Sequence, residues 1–231
     1  MAQSLAAPVS SKPSALDQTG GLTRLLLVCG ILAGPIYVTV GLVQALTRPG
    51  FDLTRHELSQ LALGDWGWVQ IANFYLVGLL VIASAVGLHR ALGTGQGSTW
   101  VPRLVAVYGI GLLGAGLFTA DAGLGFPPGT PPDAMSISTH GVLHFASAAL
   151  GFCSVIAAAL VLGRRFLSVG QHGAAAYSIS TGLLFLITFV AGGALAGSEA
   201  TRGLATLMLW IGVLLAWIWL TVTCARFVAR N

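Results

Sequence analysis

The sequence predicts an all-α polytopic membrane protein, a bundle of six transmembrane helices, on three observations. Of 231 residues, 55% are hydrophobic and only 8% are charged, against roughly 25% charged in an ordinary soluble domain. The apolar residues gather into stretches that each reach the roughly 20 residues a bilayer crossing needs. The 31 glycines and 6 tryptophans suit membrane helices, which tolerate Gly inside and place Trp at the headgroups. A water-soluble globule is excluded, and the length leaves no room for a separate soluble domain.

Taken in order, residues 1–20 are rich in Ser, Ala, Pro and Gln, too polar to bury, and read as a disordered cytoplasmic tail. Residues 21–231 read as a single six-span domain, with crossings at about 22–46, 67–92, 101–121, 138–163, 174–197 and 204–227. The first stretch is too long for a signal-peptide core, and no clear small-residue cleavage site follows it.

Orientation comes from the basic residues. Lys12, Arg24, Arg90, Arg103, Arg164, Arg165, Arg226 and Arg230 fall on one side, and only Arg48, Arg55 and Arg202 on the other. The positive-inside bias predicts a cell-membrane protein with both termini cytoplasmic. The basic pI, near 9.3, is therefore read as topology and not as a nucleic-acid surface. Cys29, Cys153 and Cys224 lie far apart in apolar stretches and read as buried thiols. Small-residue spacings at Gly30/Gly34 and Gly193/Gly197, and the glycines Gly109, Gly111, Gly114 and Gly116, indicate close helix packing within the bundle or a homo-oligomer face.

The chemistry is expected at the outer end. Asp52, Glu57, Asp65, Asp121, Asp133 and Glu199 fall there, with His56, His140 and His144. The first outer loop, Arg48 to Trp68, predicts a short interfacial helix with Leu53, Leu58 and Leu61 on its apolar face, closed by the Trp66 and Trp68 anchor. His140 and His144 stand four apart at the start of the fourth span, which puts two imidazoles on one helix face about 6 Å apart along the axis. A catalytic zinc takes three protein ligands, so His140, His144 and Asp121 form a candidate metal set, with His56 as the other available ligand and Glu57 as a general base if it reaches a bound water. A metal-free proton-transfer site and a structural polar cluster are the other readings of these residues. Arg48 and Arg55 either hold a lipid phosphate or anionic substrate, with Ser59 beside them, or pair with acids of their own loop. Haem is disfavoured because His140 and His144 share one helix.

RPGFDLTRHELSQLALGDWGWVQIANF, the later Asp121 and STHGVLHF together resemble the domain of unknown function 998 family, small prokaryotic membrane proteins with about six spans. The resemblance covers residues 22–227. It implies a helical membrane bundle, places weight on Arg48, Asp52, Arg55, His56, Ser59, Gly67, Asn73, Asp121, His140 and His144, and carries no assigned reaction. Family members often have Pro after the acid of the third span, where this chain has Ala122. A looser resemblance, of chemistry alone, is to alkaline ceramidases and related receptors, whose zinc site is similar in using Ser, Asp and His. The sequence thus leaves open a lipid-directed hydrolase or transferase and a non-catalytic lipid-binding or accessory protein whose polar cluster is structural.

Overall fold

A computed structural model describes residues 15–134 and 137–230. It contains six long helices: α1 (Ala15–Thr47), α2 (Gly67–Leu92), α3 (Trp100–Leu117), α4 (Thr139–Ser168), α5 (His172–Leu195) and α6 (Arg202–Val228). Each is long and apolar enough to cross a membrane. Among the described residues there is no strand, only one isolated bridge between Gly123 and Phe126. The expected tail falls mostly on residues 1–14, outside the described residues, and α1 begins at Ala15.

The helices form a closed ring. Each packs on the next in sequence, and α6 returns to pack on α1. Glycine sets the approach at the tightest crossings. A Cβ on Gly30 would strike Cys224 and Ser84, one on Gly109 would strike Ile82 and the Gly78 carbonyl, and one on Gly111 would strike the Ser147 carbonyl and Gly151. These small-residue faces are spent inside the bundle, whereas Gly193 and Gly197 have open space beside them.

Besides the earlier start of α1, two helix ends differ from the expected bounds by several residues. α3 stops at Leu117, and Phe118 is already extended, because the chain there turns to carry Asp121 across to α4. α4 continues past residue 163 to Ser168, since Arg165 reaches across to donate to the carbonyls of Leu92 and Gln96, each at 2.8 Å, and of Thr94. Those bonds satisfy carbonyls at the end of α2 that would otherwise be orphaned.

At the opposite end of the bundle, the α1–α2 connection folds as a 3₁₀ turn, Leu58–Ala62, with Leu58, Leu61 and Ala62 buried. The interfacial helix is present, though tighter than an α-helix. It sits on α1 and α2: Leu58 lies over Gly41, and the Ala62 carbonyl comes so close to Gly67 that no side chain would fit there. Trp66 and Trp68 are exposed beside it.

Candidate functional site

The polar residues at this end separate into a clasp that ties loops together and a smaller group that faces a cavity. Asp121 belongs to the clasp. Its carboxylate accepts from the Ser138 backbone N–H at 2.8 Å and from the Ser138 hydroxyl, while the Ser138 hydroxyl oxygen accepts from the Gly141 N–H at 3.0 Å. Ser138 is thus the N-cap of α4, and Asp121 places a negative charge against the positive end of that helix.

His56 belongs to the clasp as well. It is buried, at 2% exposure, and both ring nitrogens are committed: Nδ1 accepts from the Asp52 N–H at 2.8 Å and Nε2 donates to the Leu124 carbonyl at 3.0 Å. The ring packs against Phe51 and Phe126, which also pack on each other. Arg48 donates from both terminal nitrogens to the carbonyls of Leu61 and Leu63 and stands over the Phe126 ring at 5.0 Å. The α1–α2 loop is therefore fastened to itself and to the α3–α4 loop through backbone acceptors.

This arrangement does not bring the metal set expected from sequence together. Among the described residues, no three of His, Cys, Asp and Glu are placed to share an ion. His144 Nδ1 is turned to the Phe118 and Ala115 carbonyls, at 2.7 and 3.2 Å; Asp121 is occupied by Ser138; and His140 is exposed, its ring edge-on to Phe118. The i, i+4 spacing does put both imidazoles on one side of α4. The deeper one is drawn to the carbonyls that α3 frees by ending at Leu117, because an unpaired buried carbonyl is costly. Arg48 serves the loop and Arg55 is exposed on the surface, so neither is joined to His144 in a common site.

Glu57, Ser59 and His144 do come together, on the wall of one cavity of about 570 Å³ inside the helix ring. The rest of its lining is overwhelmingly apolar or aromatic and includes Tyr37, Phe74, Tyr108, Phe152, Trp210 and Trp217. Glu57 retains some accessible surface yet is almost wholly enclosed by protein, so the surface it retains belongs to the cavity. Burial raises its pKa above the ordinary value, and a hydrogen bond from Ser59 acts in the opposite sense. On the α4–α5 side, the lining residues Phe145, Val190, Gly193 and Ala194 are themselves exposed. The cavity opens sideways there, toward the space that lipid would fill.

Sequence reasoning missed the aromatic walls. It also missed Gln44 and Gln70 as partners of Asn73, which the resemblance had weighted, in an amide cluster between α1 and α2: Gln44 donates to Gln70 at 2.9 Å, and Asn73 donates to the Tyr37 carbonyl at 3.2 Å and to Gln70 at 3.3 Å. Carboxamides inside spans this apolar were the available signal, because polar groups in membrane helices seek one another.

The family model for proteins of unknown function, DUF998, matches residues 31–226. Comparison with curated proteins and with solved structures gives no match. The match takes in α2 to α5 whole, the second half of α1, nearly all of α6 and both loops of the clasp, and the chain belongs to the DUF998 family.

Proposed function

We propose that this protein binds a lipid-like amphiphile in the cavity of its helix ring, taken laterally from the membrane between α4 and α5. The observation that carries this reading is the cavity itself: about 570 Å³, within the range of small-molecule sites, lined by apolar and aromatic side chains except for Glu57, Ser59, His144 and a few hydroxyls. Such a lining suits an apolar chain with one small polar end. The clasp residues Asp121 and His56 favour a non-catalytic role for the rest of the polar cluster, since their hydrogen-bonding groups are engaged by the fold.

The positive-inside bias supports an orientation in which both termini are cytoplasmic and Glu57 lies toward the outer leaflet of the cell membrane. A hydrolase or transferase is the second reading, favoured by a single observation: a hydroxyl, a carboxyl and an imidazole, those of Ser59, Glu57 and His144, line one space.

Native mass spectrometry of protein extracted from membranes tests the binding reading. A co-purifying amphiphile is expected, and it should be lost in Ala148→Trp, which fills the cavity from α4. An Ala148→Trp protein that retains the same adduct would sink the proposal. Product formation from the retained lipid, abolished in Ser59→Ala, would support the second reading over the first.

A further inference from the structure

The cavity wall also bears on the charge of the polar end. Among the described lining residues, Glu57 is the one carboxylate, and neither Lys nor Arg takes part. An aromatic group lines the same cavity: Tyr37 packs on Trp217 with ring centroids 5.0 Å apart and on Phe74 at 5.8 Å, and Tyr108 packs on Trp217 at 5.4 Å. The hydrogen bonds that its own loop offers Glu57, from Ser59 and in the capping box with Gln60, come from neutral donors and supply no counter-charge.

An ionised acid in an apolar interior is costly without a counter-charge. An anionic headgroup in this space would oppose Glu57 in a medium of low dielectric, where like charges repel strongly. A neutral headgroup would leave the acid uncompensated. A cation meets both features, the carboxylate and the electron-rich faces of Tyr37, Tyr108 and Trp217.

On the reading that the cavity holds a membrane amphiphile, we propose that its occupant is cationic, a long-chain amine or quaternary ammonium. The head sits between Glu57 and the aromatic group, and the chain runs along the α4–α5 wall toward the lateral opening.

The test uses the full chain in dodecyl maltoside, with the change in intrinsic tryptophan fluorescence, to which the cavity-lining Trp210 and Trp217 contribute, as the signal, and three probes of equal chain length: decyltrimethylammonium, decanol and decanoate. Saturable binding is expected, tightest for decyltrimethylammonium by about tenfold or more over decanol, as a desolvated cation–aromatic contact supports, and weakest for decanoate. Glu57→Gln should remove that preference while leaving decanol within about twofold. Equal or tighter binding of decanol or decanoate by the wild-type protein overturns the cationic assignment and leaves the cavity reading standing. No saturable binding of any probe overturns the cavity reading itself. A preference that survives Glu57→Gln overturns the role of the carboxylate. The comparison of probes on the wild-type protein needs no variant, so the charge assignment remains testable should Glu57→Gln fail to fold.

Discussion

The Asp121 carboxylate fills the space that any side chain on Gly141 would need. Asp121 comes from the α3–α4 loop and Gly141 from the first turn of α4, and together they explain why Ser-Thr-His-Gly opens α4: Ser138 caps, Asp121 charges the cap, and Gly141 makes room. Asp121→Ala is expected to lower stability by about 1 to 2 kcal/mol, the usual cost of a lost helix cap. Gly141→Ala should cost a similar amount by displacing the same carboxylate, and the double variant should cost less than the sum of the two. Thermal unfolding in detergent checks all three, and strict additivity would show that the residues act separately.

His140 and His144 should part company in the same assay. His144→Ala strips the carbonyls of Ala115 and Phe118, at the end of α3, of their donor and should cost about 1 to 3 kcal/mol, while exposed His140→Ala should remain within about 0.5 kcal/mol of the wild type. A chelator should leave both melting curves where they are. Stoichiometric zinc in the wild-type protein, lost in both variants, would restore the metal reading.

Arg48 holds the loop by a fork that Lys lacks. Arg48→Lys should therefore loosen Leu58–Leu63, visible as faster hydrogen exchange in that segment with little change in the helices. Wild-type exchange in this segment should be slow, because its apolar residues are buried and its ends are bound. Random-coil exchange in the wild-type loop would contradict the clasp.

Two acids in this loop respond to pH in opposite directions. Burial raises Glu57, so the folded chain holds its proton more tightly than the unfolded chain does; its contribution to stability is present at low pH and is lost as pH climbs from the unfolded value through the folded one. Asp52 is lowered, first by the hydrogen bond from the Thr54 hydroxyl and then by that from the Thr54 N–H. Its contribution is present above the unfolded value and fades as pH falls through the folded one. For ligand-free protein at about pH 8, where the unfolded carboxyl is fully ionised, Glu57→Gln should melt higher than wild type, and Asp52→Asn slightly lower, since Asp52 is exposed and screened. A Glu57→Gln protein that melts lower than wild type at that pH would mean that the acid is not desolvated.

Cysteine labelling in a background lacking Cys29, Cys153 and Cys224 addresses orientation. Residues 95 and 168 should be protected from impermeant reagents on intact cells, and residues 55 and 130 accessible, as the distribution of Lys and Arg predicts. Labelling at residue 168 from outside would invert the assignment of the cavity to the outer leaflet.

Much of this architecture is legible in the sequence because lipid imposes one coarse rule, an apolar stretch per crossing, and the chain obeys it six times. The end of α3 was not legible. Residues 118–120, Phe-Thr-Ala, contain no helix breaker, and the turn there is settled by tertiary partners, Ser138 for Asp121 and His144 for the Ala115 and Phe118 carbonyls. Asp121 and His144 were visible as neighbours, but a carboxylate that caps a helix and one that binds a metal are the same group in a sequence. Glu57 and Ser59 could be named from the polar density of their loop. Tyr37, Tyr108 and Trp217 could not, since an aromatic ring in an apolar span looks the same whether it faces lipid or a cavity.

Because α6 closes the ring against α1, the chamber has no wall on that side until α6 is in place. Chains emerge from the ribosome N-terminal end first, so α1 to α5 are made while Tyr37 and Gly34 still lack the Trp217 they pack on and Gly30 lacks Cys224. A polypeptide cut short before residue 202 carries every element of the clasp and still presents an open seam along α1 and α5.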